Sequence, residues 1–160
     1  MENMEISDVL SVWEHHRSVN EYLLANLSED QLSAAVPGED RTIGYAWSYI
    51  HHVRLMWLKV SAVNLIAPIG KMETGRLWDR AYIGRHLKES GDGIASLLEG
   101  AEESGRITGF SYPATMFPSY LIAQEAHIRG KMVAQLTAID KPISADVEHQ
   151  MWDWKNKARR

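Results

Sequence analysis

With 160 residues, 45% of them hydrophobic, the chain is long enough to bury a core of its own and reads as one globular domain over 1–160. The absence of cysteine excludes a disulfide scaffold, a thiolate metal site and a cysteine nucleophile, and a formal charge of −4 argues against a dedicated nucleic-acid binder. The opening MENMEISDVL has no basic stretch followed by an apolar run, and no apolar stretch approaches the ~18 residues of a membrane span, so a cytoplasmic chain with no membrane or nucleic-acid partner is expected.

The dominant period is helical. Ile6, Val9, Leu10, Trp13, Leu23, Leu24 and Leu27 recur at spacings of three and four, which predicts an amphipathic helix over about 5–27. Ser28 opens SEDQ, a capping-box pattern for a short helix ending near Pro37-Gly38. Thr42 reads as the cap of a helix over about 42–65, with Ala46, Tyr49, Ile50, Val53, Met56, Trp57 and Val60 on its inward face and Ala67-Pro68-Ile69-Gly70 closing it. A third helix is expected over about 77–103, from Leu77 to Glu103, with Leu87, Ile94, Leu97 and Leu98 inward. The Ser90-Gly91-Asp92-Gly93 cluster either kinks it or splits it. The loop GRITGFSYPATMFP leads to a fourth long helix over about 117–138, with Leu121, Ile128, Met132 and Leu136 inward, and a final turn or short helix carries Trp152 and Trp154. No hairpin signal, repeat or low-complexity segment interrupts this pattern. The expected fold class is all-α, a four-helix bundle with a short extra helix or turn at the C-terminal end.

Three stretches in register carry a family resemblance: TIGYAWSYIHHVRLMWL, QEAHIRGKM and LTAIDKPISADVEHQMWDW. The first is similar to the second helix of the DinB/YfiT-like superfamily, the second to its fourth-helix H-E-x-H-H-R-G-Q signature, and the third to its Pro-containing loop and Trp-rich tail. The resemblance covers nearly the whole chain. It implies a helical bundle in which three histidines hold a divalent metal, one from the second helix and an H-x-x-x-H pair from the fourth. Residues four apart project from one helix face and can chelate one ion. Carried onto this chain, the three ligand positions fall on Tyr49, Gln124 and Ile128, none of them histidine. The resemblance therefore implies a bundle whose metal site is degraded. His51, two residues after Tyr49 on the second helix, is expected on the side opposite the apolar face.

Several other residues invite a sharper reading. His52 and His127 each lie three residues after a family ligand position, and His16 lies on or beside the first helix's stripe. Together they form a conceivable relocated metal site, although no helix supplies an i, i+4 pair to anchor it. The neighbours His15-His16 and His51-His52 point about 100° apart and do not chelate together. His86 and His149 have no partner in the pattern and are expected to be exposed. Glu125, close to the inward face of its helix, is either a general base or further ligand, or one half of a salt bridge to Arg54 or Arg17; the salt bridge is the preferred reading. Gly130, after Arg129, is read as permitting close helix packing. Trp13, Trp47, Trp57 and Trp78 are read as core, and Trp152 and Trp154 as packing the tail onto the bundle.

The expectation is a DinB/YfiT-like protein with no metal and no identified catalytic residue. It keeps a small-molecule pocket lined by Tyr49, His52, Gln124, Glu125, His127 and Ile128, and it forms a homodimer. The rival expectation is a zinc- or nickel-dependent hydrolase or thiol-dependent transferase using His16, His52 and His127.

Overall fold

The computed structural model describes residues 5–73 and 79–153, and among them it is all-helical. Six α-helices follow in order: α1 (Ile6–Ala25), α2 (Glu29–Ser33), α3 (Tyr45–Ser61), α4 (Arg80–Gly100), α5 (Phe117–Ala138) and α6 (Ala145–Trp152). Single 3-10 turns at Val63–Leu65 and Ala114–Met116 follow α3 and precede α5. α4 packs against α1 and α3, α5 touches both α1 and α3, and α6 lies against α1. No helix among the described residues is long and apolar enough to cross a membrane.

Local signals explain most boundaries. Ser28 accepts from the Gln31 amide while the Gln31 side chain accepts from the Ser28 amide, the reciprocal box its sequence promised. Thr42, by contrast, is not the cap of α3. It pairs with Ala35 in an isolated antiparallel bridge, with Ile43 donating to Ala34 and Val36 to Arg41 at 2.9 Å each. The helix starts only after Gly44, where a Cβ would come within 3.1 Å of the Leu32 carbonyl oxygen. Ser144 caps α6 by accepting from the Val147 amide. The loop before it is tied to α2 by Gln31, which donates to the Lys141 carbonyl at 3.0 Å, and by the Lys141–Asp30 ion pair.

α4 runs unbroken through Ser90-Gly91-Asp92-Gly93, so the cluster neither kinks nor splits it. Its glycines are contact points. A Cβ at Gly91 would lie 2.6 Å from Arg17 Nε, and one at Gly93 2.7 Å from a Leu58 methyl. Gly130 is the opposite case: nothing lies within 4 Å of a Cβ built there, so it is not a packing glycine. Leu77, Trp78 and Trp154 lie outside the described residues.

The core forms two clusters. One gathers Val9, Trp13, Leu58, Ile94, Leu98, Phe117 and Leu121. The other gathers Leu23, Leu27, Trp47, Ile50, Ile83, Leu87, Met132 and Leu136. Each long helix therefore contributes apolar residues toward both ends and something else in its middle. On α3 the buried face is also rotated from the expected one. Tyr49, Met56 and Val60 are 44%, 50% and 58% exposed, whereas His51, Arg54, Leu55 and Leu58 are buried. His86 is buried beside His51, their rings edge to face at 5.3 Å, which corrects the expected exposure of both. Trp152, 77% exposed, does not pack the tail down.

The two glycine environments give opposite expectations. Gly130→Ala should raise stability by about 1 kcal/mol through helix propensity alone. Gly93→Ala should lower it by about 1 kcal/mol, because overpacking against Leu58 and Ile69 outweighs that gain. Urea denaturation of the two variants checks both signs.

A buried polar layer and the cleft it floors

The middle of the fold is a layer of polar side chains. Along α1 and just past its end, Val9, Trp13, His16, Asn20, Leu23 and Leu27 alternate steps of four and three, so His16 and Asn20 occupy inward positions between apolar neighbours. Arg54 stands in the same relation to Ile50 and Leu58 on α3, and Glu125 to Leu121 and Met132 on α5. All four are buried.

Glu125 is the hub. Arg54 donates from Nε to Oε1 and from Nη2 to Oε2, each at 2.7 Å, a bidentate pair. His16 Nε2 lies 2.7 Å from Oε2, and Asn20 donates to the same oxygen at 2.8 Å. Arg54 spends its remaining Nη1 on the Leu87 carbonyl at 2.9 Å and stacks over the Trp13 ring at 5.0 Å. Trp13 in turn donates to the Gly91 carbonyl at 3.1 Å. Arg17, one step around α1, is held by Glu14 and Asp92, so of the two arginines considered as partners Glu125 takes Arg54.

Charge states follow from these contacts. Burial works to raise the Glu125 pKa, but the Arg54 charge and the hydrogen bonds from His16 and Arg54 outweigh it and hold the carboxyl down at about 2. Burial lowers the pKa of His16 despite its bond to Glu125, so the ring is neutral at pH 7. A carboxylate only accepts, which places the His16 proton on Nε2 and leaves Nδ1 an acceptor. That Nδ1 faces Arg129 Nη1 at 3.5 Å, and the same Nη1 donates to Asn20 Oδ1 at 2.6 Å.

The layer opens on one side. A cleft of about 460 Å³ lies between α1, α5 and α6, with His16 and Arg129 lining it. Its walls are Val12, Val19, Ile122 and Val133, and Met151 and Trp152 of α6 form one edge. The exposed Trp152 is thus the rim of a concavity.

The expected pocket residues divide differently. Tyr49, His127 and Ile128 do share a cleft, about 390 Å³, with Glu39 and Lys131 at its polar side. His52 lines another, about 220 Å³, which Tyr49 also borders. Glu125 belongs to the buried layer. Gln124 lines none of these three concavities; its side-chain oxygen is buried and accepts no hydrogen bond among the described residues. The expected six-residue pocket is therefore not one pocket. His16, His52 and His127 open onto three different concavities, and among the described residues no three His, Asp or Glu side chains group as a metal site. His51 donates from Nε2 to the Gly70 carbonyl at 2.8 Å, and burial lowers its pKa. Asn20, Arg129 as a cleft residue and the role of α6 are absent from the sequence reading, although the unbroken four-three spacing through His16 and Asn20 carried the first of them.

Comparison of the chain with protein-family models, with curated proteins and with solved structures finds no match.

Two expectations follow. Glu125→Gln leaves the buried Arg54 guanidinium without its carboxylate and should cost about 3–5 kcal/mol, read from the denaturant midpoint. Stability should also fall with acid in two stages. The folded-state pKa values of His16 and His51 are depressed, so their contribution is complete above their ordinary value of 6.5 and is lost as pH falls below it. That of Glu125 is complete above its ordinary 4.5 and is lost as pH falls from there toward about 2. Urea midpoints measured from pH 7.5 downward should show the first decline, and His16→Gln should reduce it.

Proposed function

We propose that the chain is a DinB/YfiT-like four-helix bundle, built on α1, α3, α4 and α5, that binds a small organic molecule between its helices without the divalent metal of that superfamily. The observation that carries this reading is the α1–α5–α6 cleft, whose apolar walls meet a polar floor held rigid by the Glu125 network. A concave apolar surface with a few fixed polar groups is the usual form of a small-molecule site. Trp152 supports it, because a large exposed ring at the rim gains contacts when the cleft is filled.

The charge of the layer weighs against the relocated-metal alternative. His16 commits Nε2 to Glu125, and its free Nδ1 faces the guanidinium of Arg129, so a cation bound there would meet a cation. The positions marked by the resemblance hold Tyr49, Gln124 and Ile128, and Tyr49 is an exposed residue.

The neutral fluorescent probe N-phenyl-1-naphthylamine should bind the chain saturably at one site. Ala126→Trp, which places an indole in the mouth of the cleft, should abolish that binding while leaving the fold intact by circular dichroism. Absence of saturable binding, or binding unchanged in Ala126→Trp, would remove the reading.

The homodimer belongs to the same proposal. Met56, Val60, Tyr112, Met116 and Tyr120 are exposed around the ring cluster of Trp57, Phe110 and Phe117. An apolar patch of this composition is typical of protein interfaces. Sedimentation at high micromolar concentration should give twice the 18.2 kDa chain mass, and an 18.2 kDa species alone would refute the dimer.

A further inference from the structure

We propose that the occupant of the α1–α5–α6 cleft is an amphipathic organic monoanion, a carboxylate on an apolar chain or ring, whose head is received by Arg129. The inference rests on the cleft reading above and adds the class of molecule.

Charge balance in the layer leads to it. The layer holds two guanidiniums, Arg54 and Arg129, and one buried carboxylate, Glu125, which pairs with Arg54; His16 is neutral, so the layer carries one positive charge in excess. The hydrogen bonds to Glu125 come from Arg54 at Oε1 and from Arg54, His16 and Asn20 at Oε2, and none comes from Arg129. Among the described residues Arg129 makes no ion pair, and its only acceptors are Asn20 Oδ1 and His16 Nδ1. Both meet the same nitrogen, Nη1. The Nε and Nη2 donors have no acceptor among the described residues, and that edge of a guanidinium matches a carboxylate with two parallel hydrogen bonds. Arg129 is a cleft residue and only half-buried, so an anion has a route to it.

The walls select the rest of the molecule. Val12, Ile122 and Val133 offer no hydrogen bond, so the body of the ligand is apolar. The carboxylate of Glu148 also borders the cleft, but it is exposed on α6, where solvent screens it. It therefore does not offset the charge of Arg129 at the floor. One excess positive charge calls for one negative charge.

The contrast to measure is between octanoate and 1-octanol, which share a tail and differ in the head. A cleft with no anion receptor prefers the alcohol, because desolvating a carboxylate costs more than desolvating a hydroxyl. With N-phenyl-1-naphthylamine bound to the full chain at pH 7.5, octanoate should displace the probe at a concentration at least tenfold below that of 1-octanol. Octyltrimethylammonium should be weaker than either. Arg129→Gln should raise the octanoate requirement at least tenfold and leave that of 1-octanol unchanged, with partial recovery in Arg129→Lys. Glu148→Gln should change octanoate by less than twofold. If the probe binds and 1-octanol displaces it as well as octanoate does, the anion inference falls and the cleft reading stands. If the probe does not bind, both fall. Should Arg129→Gln fail to fold, the octanoate-to-octanol ratio of the unaltered chain decides alone.

Discussion

The carboxylate of Glu125 is the point on which the four long helices have to agree. It sits on α5 and takes hydrogen bonds from Arg54 on α3 and from His16 and Asn20 on α1, while Arg54 reaches on to the Leu87 carbonyl of α4. A slip of one residue along α5 would turn that carboxylate by about 100°, into solvent or into one of the apolar clusters, and leave a buried guanidinium alone. Buried ion pairs add little net stability compared with apolar residues of equal volume, yet breaking one is costly. The layer therefore acts on register: apolar residues at both ends drive the helices together, and the polar middle permits one alignment among the many that leucines alone would accept.

This division explains what the sequence discloses and what it hides. The span of α5 matches its expected 117–138 from Phe117 to Ala138, because Pro118 fixes its start and apolar periodicity carries it to its end. The inward residues of α1 and α4 are equally legible, since Trp13, Leu23, Ile94 and Leu98 follow helical spacing without interruption. α3 is not. Its inward positions include His51 and Arg54, and a stripe drawn from apolar residues alone turns toward Tyr49, Met56 and Val60, which are exposed. The misplaced face moved the expected pocket with it. The same stripe puts His51 on the outer side, and it carries no sign of His86, its buried ring partner on α4.

The site was harder to see than the fold because its residues belong to different kinds of pattern. Glu125 and Arg54 are recognisable as partners once both are placed inward, and opposite charges at core positions of two helices are a readable signal. Arg129 carries no such mark. Its contacts run to a neutral asparagine and a neutral histidine on α1, more than a hundred residues away, and nothing in the local sequence pairs them. The cleft depends further on α6, whose position comes from the Ser144 cap and the ties between its preceding loop and α2. Concavity arises from how helices diverge, and periodicity does not encode it.

The layer is closed on one side and open on the other, and that asymmetry links architecture to the proposed binding. Toward α4, Arg54 is capped by a carbonyl and covered by the Trp13 ring, so its charge is fully compensated within the fold. Toward α6, Arg129 is held by neutral groups only, half-buried and with hydrogen-bond donors unspent. The fold tolerates this excess charge because the cleft admits solvent, which supplies the missing acceptors. Any molecule that fills the apolar walls also expels that solvent, and Arg129 then has to be compensated from within the ligand. The walls and the arginine thus impose a joint condition: apolar burial and a negative head are favourable together, and either one alone leaves the other half of the cleft poorly satisfied.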